Sequence, residues 1–389
     1  MKKTLLSLMF SAGVSLYAQQ SSTSSLNCDH DVTLNSNYSK AAALDSIMKK
    51  YAPGLLPGIA IAVYSEAEGW WAGAQGYAKV ESKLPMQNCH LQYLQSMAKT
   101  YVAVEMLQLK EQEKIRLDSP ITKYLSSKYT RYLKSPGKIT VRMLLNQVSG
   151  IPEYTTTPAF ISQVIQHPLN YFSGEDCLKS IADEPSQFAP GSKYQYTNTN
   201  YLLLALIGNG ITGDHAAYIK KNVFKPLGLN NTYYGNDYNY LKGLNVPDSY
   251  WDMLNVGRPA NITQFQQATV VSSKGDDGIV STPIDAVKFW KGLMEGKLLK
   301  PESMQEMMNF VKDEQGRSRY GMGVIYFDLD GIIGYGHGGG GIGAGCGLIY
   351  FPSKKTYVFF ATNLGVFVEG DLVKKADEMK NAVLATILQ

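Results

Sequence analysis

Apolar residues recur at helical spacing over residues 40–51, where Leu44, Ile47, Met48 and Tyr51 form one stripe, so an amphipathic helix is expected there. Residues 58–64 and 70–77 are rich in strand formers and flank a polar turn at 66–69, which predicts a hairpin. Residues 98–107 are apolar around most of a helical circumference, the pattern of a buried helix. From about 118 to 222 helical patterns alternate with turns marked by Pro and Gly, and 281–295 reads as one more helix. Strands are predicted at 320–327, 334–339, 347–351 and 357–362, the last two joined around Pro352-Ser353-Lys354-Lys355. Residues 371–388 close the chain as an amphipathic helix with Leu372, Ala376, Met379, Val383 and Ile387 on one side. Strands near both ends and helices between them predict an α/β (α+β) fold. Its antiparallel sheet is flanked by terminal helices and interrupted by a helical region at about 118–222.

Composition narrows the class. A chain of 389 residues with 44% hydrophobic content can bury a large core. Residues 1–18 read as a signal peptide: Lys2-Lys3, then an apolar stretch from Leu5 to Val14, then Ala18 before Gln19. Residues 19–37 are expected to be a flexible arm, Ser/Gln-rich up to Asn27, and 38–389 one domain. The apolar stretch is too short and interrupted for a stable membrane span, so an exported, periplasmic or secreted bacterial protein is expected. The formal net charge is only +4 and falls further without Lys2 and Lys3, which makes no case for nucleic acid. Four cysteines, Cys28, Cys89, Cys177 and Cys346, allow three disulfide pairings and match no zinc spacing. Cys28 with Cys89 is preferred, since both flank regular elements, and Cys346 reads as a small buried hydrophobe. No metal or cofactor is called for.

The candidate chemistry lies in three short motifs. Ser-x-x-Lys occurs at Ser46/Lys49, Ser96/Lys99 and Ser135/Lys138, and chance explains that many. Ser135 leads into a Pro-Gly turn, and Ser46 lies on the polar face of the first helix. Only Ser96 opens a buried helix, so that Ser96 and Lys99 share one face of its first turn. A serine hydroxyl needs a base, and a lysine becomes a base when burial lowers its pKa. Tyr196-Thr197-Asn198 sits in a turn feeding the apolar run 201–207, where a phenol can relay a proton and an amide can hold a carbonyl. His337-Gly338-Gly339 belongs to a stretch, 334–347, with nine glycines, which suits a strand approached closely by a ligand. The plainer readings are a polar pair, a turn and a glycine-rich surface loop. The order and context of the three motifs favour chemistry, and no Gly-x-Ser-x-Gly elbow offers a competing nucleophile.

From Lys40 onward the chain resembles the serine beta-lactamase-related hydrolases, the group that includes class C beta-lactamases, the Streptomyces-type D-alanyl-D-alanine carboxypeptidase and related esterases. Besides the three motifs, the likeness rests on Leu144-Leu145-Asn146-Gln147-Val148-Ser149-Gly150-Ile151-Pro152 and Tyr196-Thr197-Asn198-Thr199-Asn200-Tyr201. Phe224-Lys225-Pro226-Leu227-Gly228-Leu229 with Thr232, and Gly278-Ile279-Val280-Ser281-Thr282, extend it. The resemblance implies the beta-lactamase/transpeptidase-like fold, with Ser96 as the acylated nucleophile and Lys99 and Tyr196 as the proton network. It implies that Asn198 contacts the substrate amide, that His337 stands where many relatives have Lys, and that the backbone of Gly338 and Gly339 lines the substrate. The main-chain amides of Ser96 and Gly340 would form the oxyanion hole. Two departures stand out. Gly338 and Gly340 occupy positions where relatives that bind a substrate carboxylate often carry hydroxyls, and Gln147 replaces the usual His before Thr-Ser-Gly, a change read as structural.

The function expected is an exported serine hydrolase, D-alanyl-D-alanine carboxypeptidase-like or a related peptidase, acting on a small-molecule or peptide substrate. The alternatives are an esterase or beta-lactamase of the same family, or a non-catalytic relative that binds peptidoglycan fragments or a partner protein. The intact Ser96, Lys99 and Tyr196 favour an enzyme.

Overall fold

Alternation of side chains sorts the strands onto two faces. In β1 (Gly58–Ser65), Ile59, Ile61 and Val63 point to one face and Ala62 to the other. β1 pairs with β2 (Gly69–Lys79), as the hairpin pattern requires. The structure is a computed structural model and describes Cys28 and residues 30–389. The expected signal peptide and most of the arm lie outside the described residues. The described part of the arm contacts the body of the protein. Cys28 is disulfide-bonded to Cys89, Asn35 donates its amide to the Trp70 carbonyl at 2.7 Å, and Asp31 pairs with Lys288.

The remaining strands of the main sheet are β3 (Leu84–Pro85), β4 (Val311–Lys312), β5 (Ser318–Tyr320), β6 (Ile325–Leu329), β7 (Ile332–Gly340), β8 (Gly345–Phe351) and β9 (Thr356–Thr362). The nine run β3-β2-β1-β9-β8-β7-β6-β5-β4, each antiparallel to its neighbour. The single strand expected at 320–327 is two. Gly323, at φ +73°, drops the chain onto the helix that follows Ser96, where its carbonyl accepts the Thr100 hydroxyl at 2.6 Å. A Cβ there would collide with Ala103 and the Lys99 carbonyl, so the break needs glycine.

One face of the sheet packs against α1 (Ala41–Tyr51) and the closing helix α5 (Asp371–Leu388). The other packs against α2 (Ala98–Glu111), α3 (Asn198–Thr212) and α4 (Pro283–Met294), where the larger core cluster lies. α2 buries every residue from Ala98 to Leu109, including Lys99 and Glu105. The region 118–222 is less helical than expected. Short helices such as Val141–Leu145 and Pro158–Gln166 give way to irregular chain over 183–197, where Pro185, Pro190 and Gly191 interrupt any helix. Among the described residues no helix is long and apolar enough to cross a membrane.

A gap opens between the sheet and α5. Gly338 and Gly340 of β7 pair with Gly347 and Gly345 of β8, and cross-strand partners share a face. Gly347 in turn pairs with Phe360, whose ring belongs to the core beneath α5. Four positions on that face therefore carry no side chain. A cavity of about 400 Å³ remains, lined by Phe327, Ile349, Phe360, Val366, Met379 and Leu384.

Candidate active site

Ser96 sits in a tight turn, Gln95–Met97, that runs straight into α2. The residue before it, Gln95, is buried in the left-handed region at φ +49°, a strained placement of the kind found at functional turns. Lys99 lies one helical turn on and is fully buried. Its Nζ lies 2.9 Å from Ser96 Oγ, 2.7 Å from Asn198 Oδ1 and 2.9 Å from the main-chain carbonyl of Asp276. Burial pulls the Lys99 pKa down to about 8, against the pull of Asp276, Glu153 and Asp277. Two of its three partners are carbonyl oxygens, which only accept. A neutral amine in this clamp spends both N–H groups on them, and its lone pair is left facing the Ser96 hydroxyl.

Tyr196 is half-buried, its phenol oxygen shielded from solvent and its ring 5.0 Å from Lys99 Nζ. Burial pushes its pKa far up, opposed by the nearby Ser96 hydroxyl, yet the phenol oxygen makes no hydrogen bond. It is a protonated donor waiting for a partner. Tyr196 and Asn198 are placed by the start of α3. Thr197 caps the helix, and the Asn198 amide donates to Glu153 Oε2 at 2.6 Å. Gln147, at φ +63° and fully buried, accepts from the Thr197 amide at 3.1 Å and the Asn200 side chain at 2.6 Å. Its structural reading is thus matched by two hydrogen bonds that hold the Tyr196 turn. Asn198, expected on the substrate amide, turns its side-chain oxygen to Lys99 at 2.7 Å.

His337 points to the same side of the sheet as Ser96, opposite Leu348. It is buried, its Nε2 3.0 Å from the Tyr320 hydroxyl and its Nδ1 2.6 Å from the Gly338 carbonyl. Burial and the Lys99 charge push its pKa down to about 3. The imidazole is neutral, donates from Nδ1 to the carbonyl and accepts from Tyr320 at Nε2. With both nitrogens engaged, the His337 ring forms part of the site wall beside Tyr196.

β7 reaches the site edge-on. Its pairing with β6 stops at Gly336, so His337 to Gly340 have a strand only on the β8 side. Gly339 presses on the Ser96 turn: a Cβ there would collide with the Leu94 carbonyl and the Gln95 side chain. This brings the strand that carries Gly340 to the nucleophile turn. By strand alternation Gly338 and Gly340 share the face of Gly347 and Gly345, on the α5 side of the sheet. Arg317 and Arg319, the nearby cations of this edge, turn to Asp313 at 2.8 and 3.8 Å.

The residues not anticipated are Glu153, Asp276, Asp277 and Tyr320. Asp276 and Asp277 stand between Gly275, at φ +94°, and Gly278, at φ +102°; that glycine-bracketed acidic pair was the only signal available in the sequence.

Comparison with known proteins agrees with this fold. The Beta-lactamase family model matches residues 44–378. Among curated proteins, Protein flp of Staphylococcus aureus (strain MRSA252) is 26% identical over 190 residues, 49% of this chain and 37% of that one. Penicillin-binding protein 4* of Bacillus subtilis (strain 168) is 29% identical over 164 residues, 40% of this chain and 33% of that one. These matches span little more than a third of the relatives' length. Among solved structures, a D-stereospecific amidohydrolase from Streptomyces sp. superposes with a TM-score of 0.74 at 23% identity, covering 87% of this chain and 98% of that one. The D-amino acid amidase of Ochrobactrum anthropi SV3 gives 0.75 at 22%, covering 89% and 97%. With its central antiparallel sheet, its flanking helices and its family match over most of its length, the chain belongs to the Beta-lactamase family, which supports a protein of serine-hydrolase type.

Proposed function

We propose that the protein is a serine hydrolase that forms an acyl-enzyme at Ser96 and acts on D-alanyl peptides or related D-aminoacyl amides. The observation that carries this reading is the three-point clamp on Lys99, which leaves the amine's lone pair to Ser96. Lys99 takes the Ser96 proton as Oγ bonds to the substrate carbonyl carbon. The oxyanion forms between the main-chain amides of Ser96 and Gly340. Tyr196 passes a proton to the departing amine as the carbon–nitrogen bond breaks, and it is reprotonated from Lys99. Water then attacks the ester with the same groups in reverse, returning the Ser96 proton.

A second reading, an esterase or amidase for uncharged substrates, is favoured by one feature. His337 is neutral, and Arg317 and Arg319 turn to Asp313, so none of these three offers a free cation to a substrate carboxylate. In either reading the protein works outside the cytoplasm, which the Cys28–Cys89 bond supports.

Mass spectrometry of the intact protein after exposure to fluorescent penicillin, D-alanyl peptides, D-amino amides and neutral esters tests this. One acyl adduct per chain is expected, absent from Ser96→Ala, whose fold survives because the lost hydroxyl is worth about 1 kcal/mol. Adducts on the Ala variant, or no adduct and no turnover with any compound, would overturn it in favour of another nucleophile or a binding role.

A further inference from the structure

Asp276 is an unusual neighbour for a catalytic lysine. It sits in a turn locked by glycines: a Cβ on Gly275 would collide with the Tyr201 carbonyl and Ala205 of α3, and one on Gly278 with Tyr234. Its main-chain carbonyl receives Lys99 Nζ at 2.9 Å. The residue is 4% exposed; Oδ2 accepts the Tyr154 hydroxyl at 3.0 Å, and the buried Oδ1 has no partner. A buried carboxylate with half its acceptor capacity unused is costly, and it persists where something compensates. The nearest compensation is the Lys99 charge.

We propose that Asp276 is a positioning residue for the Ser96 site: its carbonyl aims the Lys99 amine, and its buried carboxyl governs how readily that amine holds a proton. The proposal rests on the serine-hydrolase reading for its consequence in catalysis, not for its chemistry. Burial pushes the Asp276 carboxyl up from its ordinary range, Lys99 pulls it back, Asp277 and Glu153 push it further, and the Tyr154 hydrogen bond holds it down. Lys99 faces Asp276, Glu153 and Asp277, the rings of Tyr196 and Tyr201, and neutral His337. Lys274 lies beyond Asp277 and acts on it, and Cys177 stands near Asp276 behind Tyr154. Lys99 and Asp276 therefore titrate as a pair, and their protons leave in steps that belong to both. Negative charge on Asp276 keeps the proton on Lys99; removing it frees the amine at lower pH.

The test compares wild type, Asp276→Asn and Tyr154→Phe by two readouts. The first is the pH profile of acylation by a chromogenic D-alanyl anilide or neutral ester. The second is the titration of Lys99 in protein labelled with ¹³C at lysine Cε, assigned by the signal lost in Lys99→Arg. Asp276→Asn is expected to move both the acid limb and the Lys99 signal to lower pH by about one unit, the scale of a neighbouring charge. Tyr154→Phe weakens the carboxylate's hold on its charge and should move both the same way by less, and it serves alone if Asp276→Asn does not fold. A residue of purely structural weight would lower the rate at every pH and leave both midpoints in place; that result overturns the proposal. If wild type takes no acyl group yet the Lys99 signal still shifts, the hydrolase reading falls and this one stands.

Discussion

At the scale of single residues, the site runs on one amine whose burial is only partly offset. Lys99 is fully buried among carbonyls and carboxyls, and its pKa comes down to about 8. A base must be unprotonated, so acylation should climb about tenfold per pH unit below 8 and level above it. His337 is neutral down to about 3, so it should contribute no inflection of its own between pH 5 and 7. Stopped-flow acylation across pH 5 to 10 checks both limbs. A second inflection near the ordinary histidine pKa that vanishes in His337→Gln would show that the imidazole titrates after all. The Ser96, Lys99 and Tyr196 positions were legible in the sequence because nucleophile, base and relay lie in short motifs at element starts. Asp276 and Glu153 were not. A carboxyl's influence on Lys99 depends on burial and on a partner 177 or 54 positions away, which no local spacing encodes. The state of His337 depended likewise on Tyr320, from a strand the sequence pattern merged with its successor.

At the scale of elements, the end of β7 shows how neighbouring glycines differ. Gly339 meets the Ser96 turn with no room for a Cβ, whereas a Cβ on Gly338 would meet only the Cys346 carbonyl, at 3.9 Å. Gly339→Ala should push the strand off the nucleophile turn and cut acylation by about 10²-fold, the scale of a lost oxyanion donor, with secondary structure retained. Gly338→Ala should leave acylation unchanged and raise stability by about 0.5 kcal/mol through lost unfolded-state entropy. Acylation rates and denaturant midpoints of the two variants decide this, and the reverse ranking would mean that the strand faces are assigned wrongly. The terminal helices and the hairpins were readable because period 3.6 and period 2 are strong where one face is buried, as in α5 and β9. The break between β5 and β6 was hidden because its cause, the docking of Gly323 on α2, is tertiary. The irregular run 183–197 was hidden for the same reason: it is held by Gln147 rather than by its own periodicity.

At the scale of the whole molecule, the described N-terminal segment is stapled to the body. The Cys28–Cys89 link closes a loop of 61 residues that includes α1 and the β1–β2 hairpin. Replacing both cysteines with serine should cost about 3 kcal/mol in urea unfolding while leaving acylation intact, since neither touches Lys99 or Ser96. Loss of acylation in the folded variant would show that the staple also orders the site. The central pairing, β1 on β9, joins residues about 300 positions apart: Ile59 lies opposite Thr362. β1 must therefore wait for nearly the whole chain before it finds that partner, and the search for such distant contacts is slow. On refolding, helical signal should return well before the catalytic clamp closes. Recovery of acylation would then act as a clock for the last long-range closure rather than for collapse.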